Sequence, residues 1–179
     1  MTSDEFFAGF HASAFRLETL PQYLGTSDAA FRAFCEGRPL PLSERPAKQD
    51  WMRRVTDARA QGKRIYRVHV LDQPLTPYLQ YELAAYPENI AAGEEVYIAD
   101  RTGRPDLADL REDFWLLDAD SDKPFALLMH YDAEGRFLNG EPSEVPVVIE
   151  KCRHRRNLAL ANSVPLDQFL STSITTGRT

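Results

Sequence analysis

The chain has 179 residues and a formal net charge of −6, from 21 basic against 27 acidic side chains. That balance excludes a general nucleic-acid coat, which needs a positive surface to meet phosphates, and leaves room only for a local basic patch. The length suits a single domain, expected over 1–171 with a disordered polar tail at 172–179, and is enough to bury a core without metal or disulfide staples.

The opening MTSDEFFAGF lacks the basic flank and long apolar run of a secretory signal, and no later stretch is apolar enough to span a bilayer. A cytoplasmic protein without membrane contact is expected. The spacing predicts a short helix over 4–14 with Phe6, Phe7 and Phe10 as an apolar stripe, which must pack on the body or on another protein. An extended segment follows over 15–24, then a helix over 28–36 stopped by Gly37, a proline-rich loop, and a helix over 47–61 stopped by Gly62.

The segment 63–101 reads as strand, helix, strand, and the rest is organised around it. Over 63–71, Tyr66, Val68 and Val70 alternate with Ile65, Arg67 and His69, giving one apolar and one charged face. Thr76-Pro77 starts a helix, with the threonine hydroxyl as cap and proline where no amide is needed. Pro87 is expected to end or kink that helix near Tyr86, with one further turn before Gly93 and a strand over 94–100. A surface loop over 101–111 follows, then strands over 114–118, 124–131 and 136–141, the last two joined by an Asp132 to Gly135 turn. Pro146 begins a final helix that Pro165 ends or kinks, and Cys35 and Cys152 are expected to be inert helix-packing thiols.

This order predicts an α+β (or α/β) fold: a mixed sheet with a strand-helix-strand core, a later antiparallel hairpin, N-terminal helices and a C-terminal helix. It is loosely phospholipase-D-like, without the paired His-x-Lys motifs of those enzymes.

Chemistry is most concentrated in Arg67, His69, Glu82, Asp118 and His130. A histidine with a carboxylate can move a proton near neutral pH, and an arginine can hold an anionic group with paired donors. The same residues also read as an ion-pair network, Arg67 with Glu82 or Asp118, that fixes the helix on the sheet. Tyr78, Tyr81 and Tyr86 are candidate pocket walls, although aromatics at helical spacing are more often core. The run Lys151-Cys152-Arg153-His154-Arg155-Arg156 makes Arg153 and Arg156 candidate contacts for phosphate or an acidic partner; a solvated helix face paired with acids is the alternative. No metal-ligand spacing, nucleophile motif or phosphate loop occurs, so no metal or cofactor is expected.

Three further stretches carry a resemblance. Phe15-Arg16-Leu17-Glu18-Thr19-Leu20-Pro21, the set Pro74-Leu75-Thr76, Tyr78, Glu82-Leu83, Tyr86, Asn89 and Ala92-Gly93-Glu94, and Asp113-Phe114-Trp115-Leu116 with Asp118, Met129, Tyr131-Asp132, Gly135 and Phe137 resemble an actinobacterial domain family of unknown function. Members are commonly encoded beside small helix-turn-helix regulators. The resemblance implies a regulatory or protein-interaction module working with such a regulator, and it brings no activity. The alternative expectation is a small-molecule-binding enzyme, hydrolase or transferase, built on the His, Arg and carboxylate cluster.

Overall fold

The computed structural model describes residues 6–7, 9–25 and 28–176. Its centre is a seven-stranded mixed sheet in the order β6-β5-β4-β1-β2-β3-β7. The strands are β1 Ser13–Glu18, β2 Arg64–Leu71, β3 Glu95–Asp100, β4 Asp113–Leu117, β5 Phe125–Tyr131, β6 Phe137–Ser143 and β7 Val164–Pro165. β1, β2 and β3 run parallel, and β4, β5, β6 and β7 add antiparallel pairs. The α+β class and the mixed sheet are as the sequence predicts.

Among the described residues, five helices cover the sheet: α1 Asp28–Cys35, α2 Pro46–Ala60, α3 Pro77–Ala92, α4 Pro146–Ala161 and α5 Leu166–Thr176. One sheet face carries Phe15, Leu17, Tyr66, Val68, Phe114 and Leu116, and α4 buries it with Ile149, Cys152 and Ala159. On the other face, Ile65 and Leu117 meet Val55 and Ala58 of α2, while Val96 and Ile98 meet Leu79, Leu83 and Tyr86 of α3. The alternation of apolar with charged residues in β1 and β2 is what sends the charges to this second face.

Several expectations need correction. The predicted N-terminal helix is cut short because β1 already begins at Ser13; Phe6 and Phe7 are helical, and the remaining start of that helix lies outside the described residues. Its stripe docks on the body, one of the two expected placements: Phe6 and Phe10 are buried among Val55, Ile65 and Leu117. Pro87 does not end α3, which runs on to Ala92 because its last turns pack against α2 and the sheet. Gly93 closes it at φ 112, where its amide reaches the carbonyls of Asn89 and Ile90. The 101–111 segment is anchored rather than loose, because Leu107 and Leu110 are fully buried. Pro165 lies in β7, and a separate helix, α5, follows it. Cys152 is buried, which pushes its thiol up to about 11, whereas Cys35 is exposed.

Asp118 follows β4 at φ 48, a left-handed conformation that aspartate tolerates better than most residues. Its carboxylate accepts the backbone amides of His11, Ala12 and Ser13 at 2.8, 2.7 and 2.9 Å. Partial burial acts to raise this carboxyl, and the three amide donors outweigh it, holding it below the usual carboxylate range. Asp118→Ala strands those amides and loses the residue's tolerance of positive φ. An expected loss of about 2 kcal/mol is measurable by urea unfolding, and Asp118→Asn, which keeps an acceptor, loses less.

Candidate functional site

The charged face of β1 and β2 builds a buried ionic line across the sheet. Register places Arg16 beside Arg67 and Glu18 beside His69. Asp113 of β4 accepts from Arg16 Nη2 at 2.8 Å, from Tyr23 Oη at 2.6 Å, and from the Thr19 hydroxyl and amide at 2.7 and 2.9 Å. Arg16 Nε lies 3.6 Å from Glu18, and Arg67 Nη1 donates to Glu18 at 2.9 Å. Arg67 Nε donates to Glu94, just before β3, which also accepts from Trp51 at 2.8 Å and Asn89 at 2.6 Å. Arg67 is thus a structural cation with two carboxylate partners, Glu18 and Glu94, rather than the Glu82 or Asp118 that the sequence suggested.

Burial acts to raise Glu18, but Arg67 and Arg16 outweigh it and hold its carboxyl at about 2, against an ordinary 4.5. A carboxylate of that kind must accept, so Tyr86 donates to Glu18 at 3.1 Å. The Tyr86 oxygen then accepts from His69 Nδ1 at 2.6 Å, which puts a ring proton on Nδ1. His69 Nε2 is buried with no hydrogen-bond partner. Because the Glu18 pKa falls on folding, its contribution to stability is present above pH 4.5 and is lost as pH drops toward 2. Urea midpoints measured across that window fall steeply in the native chain and less steeply in Glu18→Gln.

Glu82 stands apart from this pairing. Its one hydrogen bond among the described residues is from the Tyr78 hydroxyl at 3.1 Å, and it has no cation within ion-pair distance. Burial and the Glu18 charge raise its carboxyl above the usual range, against the pull of His69, Arg67 and Lys48. Glu82 lines a cavity of about 480 Å³ between α1, α2 and α3, together with Lys48, Trp51, Arg67, Tyr81 and Tyr86. Glu18 and Trp115 of the sheet complete its floor. Burial lowers the Lys48 ammonium below its usual range, and Lys48 is held by the Asn89 side chain and, at 3.4 Å, by the Ala85 carbonyl. A larger groove, about 770 Å³, runs along α2 past Asp50, Arg53, Arg54 and Asp57; Phe7 and Phe10 of the N-terminal stripe line it, and none of the candidates of the charged cluster does.

Of the five clustered candidates, the structure brings three together: Arg67, His69 and Glu82. Asp118 is occupied at the start of β1, as described above. His130 lies on the opposite sheet face because it alternates with Met129 and Tyr131; it is half exposed and contacts Glu141 at 3.2 Å. Among the described residues no three His, Cys, Asp or Glu side chains come together as a metal set. Tyr81 is a cavity wall, and Tyr78 packs beneath Phe31 of α1 with its hydroxyl on Glu82.

The basic run on α4 is largely paired. Arg156 makes two bonds to Asp120 at 2.8 and 3.1 Å, and Arg153 holds Glu150 and the Ala119 carbonyl. Lys151 and Arg155 share Glu112. This is an acid-paired face rather than a free cationic patch: Arg156 is itself buried, while the acids that pair with the run are solvent-accessible, and the exposed Lys151 pair adds little stability.

Glu18, Lys48, Asn89 and Glu94 were not named as site candidates, although Glu18, Asn89 and Glu94 belong to the pattern that carries the family resemblance. Glu18 carried a signal: Phe15-Arg16-Leu17-Glu18 has the same apolar and charged alternation as Tyr66-Arg67-Val68-His69. Asn89 and Glu94 stood in the family pattern with no role attached, and Lys48 carried no signal, since their role depends on how α2 and α3 lie over the sheet.

No helix among the described residues is long and apolar enough to cross a membrane. No curated protein matches the sequence significantly. The family model of a domain of unknown function, DUF6879, matches residues 1–171, and the chain belongs to that family.

Proposed function

Within that family, we propose that this domain is a small-molecule-sensing regulatory module of the cytoplasm, which binds its ligand over the charged sheet face and works with a partner protein of the helix-turn-helix regulator class. The observation that carries the ligand half is the convergence of Glu82, Lys48, Arg67 and four aromatic rings on one cavity of about 480 Å³, a size and composition typical of small-molecule sites. The partner half rests on the company kept by the family that the sequence resembles. Of the two contact candidates, Phe6 and Phe10 are core, and Arg153 and Arg156 are acid-paired.

A raised, unpaired carboxylate is an expense that a purely structural network would shed. Its sign is opposite to that of Glu18: a carboxyl raised on folding stabilises at low pH and destabilises as pH rises above its unfolded value. Glu82→Gln is therefore expected to gain stability on the order of 1 kcal/mol at pH 7, as binding-site substitutions often do. Thermal unfolding of the ligand-free variant measures this, and a destabilised variant would count against a binding role for Glu82.

A second reading is favoured by the same carboxyl: an enzyme, hydrolase or transferase, in which Glu82 transfers a proton. Turnover of p-nitrophenyl acetate or p-nitrophenyl phosphate that disappears in Glu82→Gln would move the assignment there.

A further inference from the structure

We propose that the ligand of this cavity is an organic cation, an amine or guanidine on an apolar body, with Glu82 as its counter-ion. This rests on the ligand-binding reading above and names the chemistry of the ligand.

Three observations converge on that chemistry. First, both arginines of the wall already have carboxylate partners, and the wall's lysine is hydrogen-bonded to neutral acceptors. Arg67 is shared by Glu18 and Glu94, Arg45 makes two bonds to Glu88 at 2.9 and 2.5 Å, and Lys48 is held by Asn89 and the Ala85 carbonyl. An anionic ligand at either arginine would have to displace that arginine's carboxylate, and one at Lys48 would meet the Glu82 charge beside it, which is costly in a desolvated site.

Second, Glu82 offers a carboxylate whose one internal bond, from Tyr78 at 3.1 Å, leaves acceptor capacity unused. A protonated amine supplies the donors and the charge that this carboxylate lacks, and charge-assisted bonds of this kind are the stronger ones.

Third, the remaining walls are aromatic and apolar: Tyr81, Trp51, Tyr86 and Trp115, with Leu40 and Ala85. Ring faces attract cations, and this protein already uses three of them in that way: the Arg67 guanidinium carbon lies 5.3 Å from the Tyr86 ring and 5.9 Å from that of Trp51, and the Arg16 guanidinium carbon lies 5.7 Å from that of Trp115. The cavity thus combines a carboxylate with aromatic walls, the pairing by which organic ammonium groups are recognised.

Tryptamine and 3-(indol-3-yl)propionate test this directly, because they share an indole body and a two-carbon arm and differ in the sign of the terminal charge. In calorimetric titrations of the full chain at pH 7, tryptamine is expected to bind saturably and the propionate not to bind. Glu82→Gln is expected to weaken tryptamine at least tenfold, about 1.4 kcal/mol, while Glu141→Gln on β6 leaves it unchanged. Binding of the propionate in place of tryptamine, or equal tryptamine affinity in Glu82→Gln, overturns the cationic assignment. If protein purified from its own host carries a neutral or anionic small molecule, the cation proposal fails and the ligand-binding reading stands. If neither indole binds and the purified chain carries no small molecule, both fail.

Discussion

Arg67→Ala is expected to be among the most destabilising substitutions in the chain, by about 3–5 kcal/mol. The reason is not the loss of attraction alone. Removing the guanidinium leaves Glu18 and Glu94 buried without their shared counter-ion, and burial then disfavours the charged forms of both. Glu94 keeps Trp51 and Asn89 as donors, and Glu18 keeps Tyr86 and the Arg16 contact, so the fold weakens rather than vanishing. Urea unfolding measures the loss. The double variant Arg67→Met with Glu94→Gln removes the cation together with one of the stranded charges, and is expected to be less destabilised than Arg67→Ala. If the single variant were as stable as the native chain, Arg67 would not be the structural cation described here.

Phe10→Ala is expected to lose a comparable amount, about 3–5 kcal/mol, as large-to-small changes of buried aromatics do. Phe10 is 2% exposed, packs in the cluster that holds Val55, Ile65 and Leu117, and has the Lys63 ammonium 4.9 Å from its ring centre. Phe137→Ala on β6 is the matched contrast. That ring is 53% exposed, and its removal is expected to stay within about 0.5 kcal/mol. Thermal or urea unfolding of the two variants separates a core anchor from a surface aromatic. Equal, small losses in both would return the N-terminal phenylalanines to the list of partner contacts.

Much of the fold was legible where the governing interactions are local. The helix start at Thr76-Pro77 is one such case, since the Thr76 hydroxyl accepts the Leu79 amide at 3.1 Å. Alternation likewise assigned Tyr66, Val68 and Val70 to one face of β2 and Arg67 and His69 to the other. What escaped is non-local. β1 reads from sequence only as an extended segment, yet it is the strand between β2 and β4, because its partners lie far along the chain. The same holds for the site. Arg67 was recognisable as a cation needing partners, but Glu18 and Glu94 became those partners only through the register of β1, β2 and β3. His130 was excluded by parity along β5, which a one-residue shift in strand assignment would reverse. Pro87 misled because tertiary packing of the last turns of α3 outweighed the loss of one helical hydrogen bond.

The claim that this domain is a ligand sensor is tested most directly by native mass spectrometry of the tagged chain purified from its own host, set against the denatured mass of the same sample. The expected result is a native species heavier than the chain by one small molecule, which is lost on denaturation and missing from Glu82→Gln purified in parallel. A native mass equal to the bare chain, or to the chain with only a protein partner attached, would contradict it.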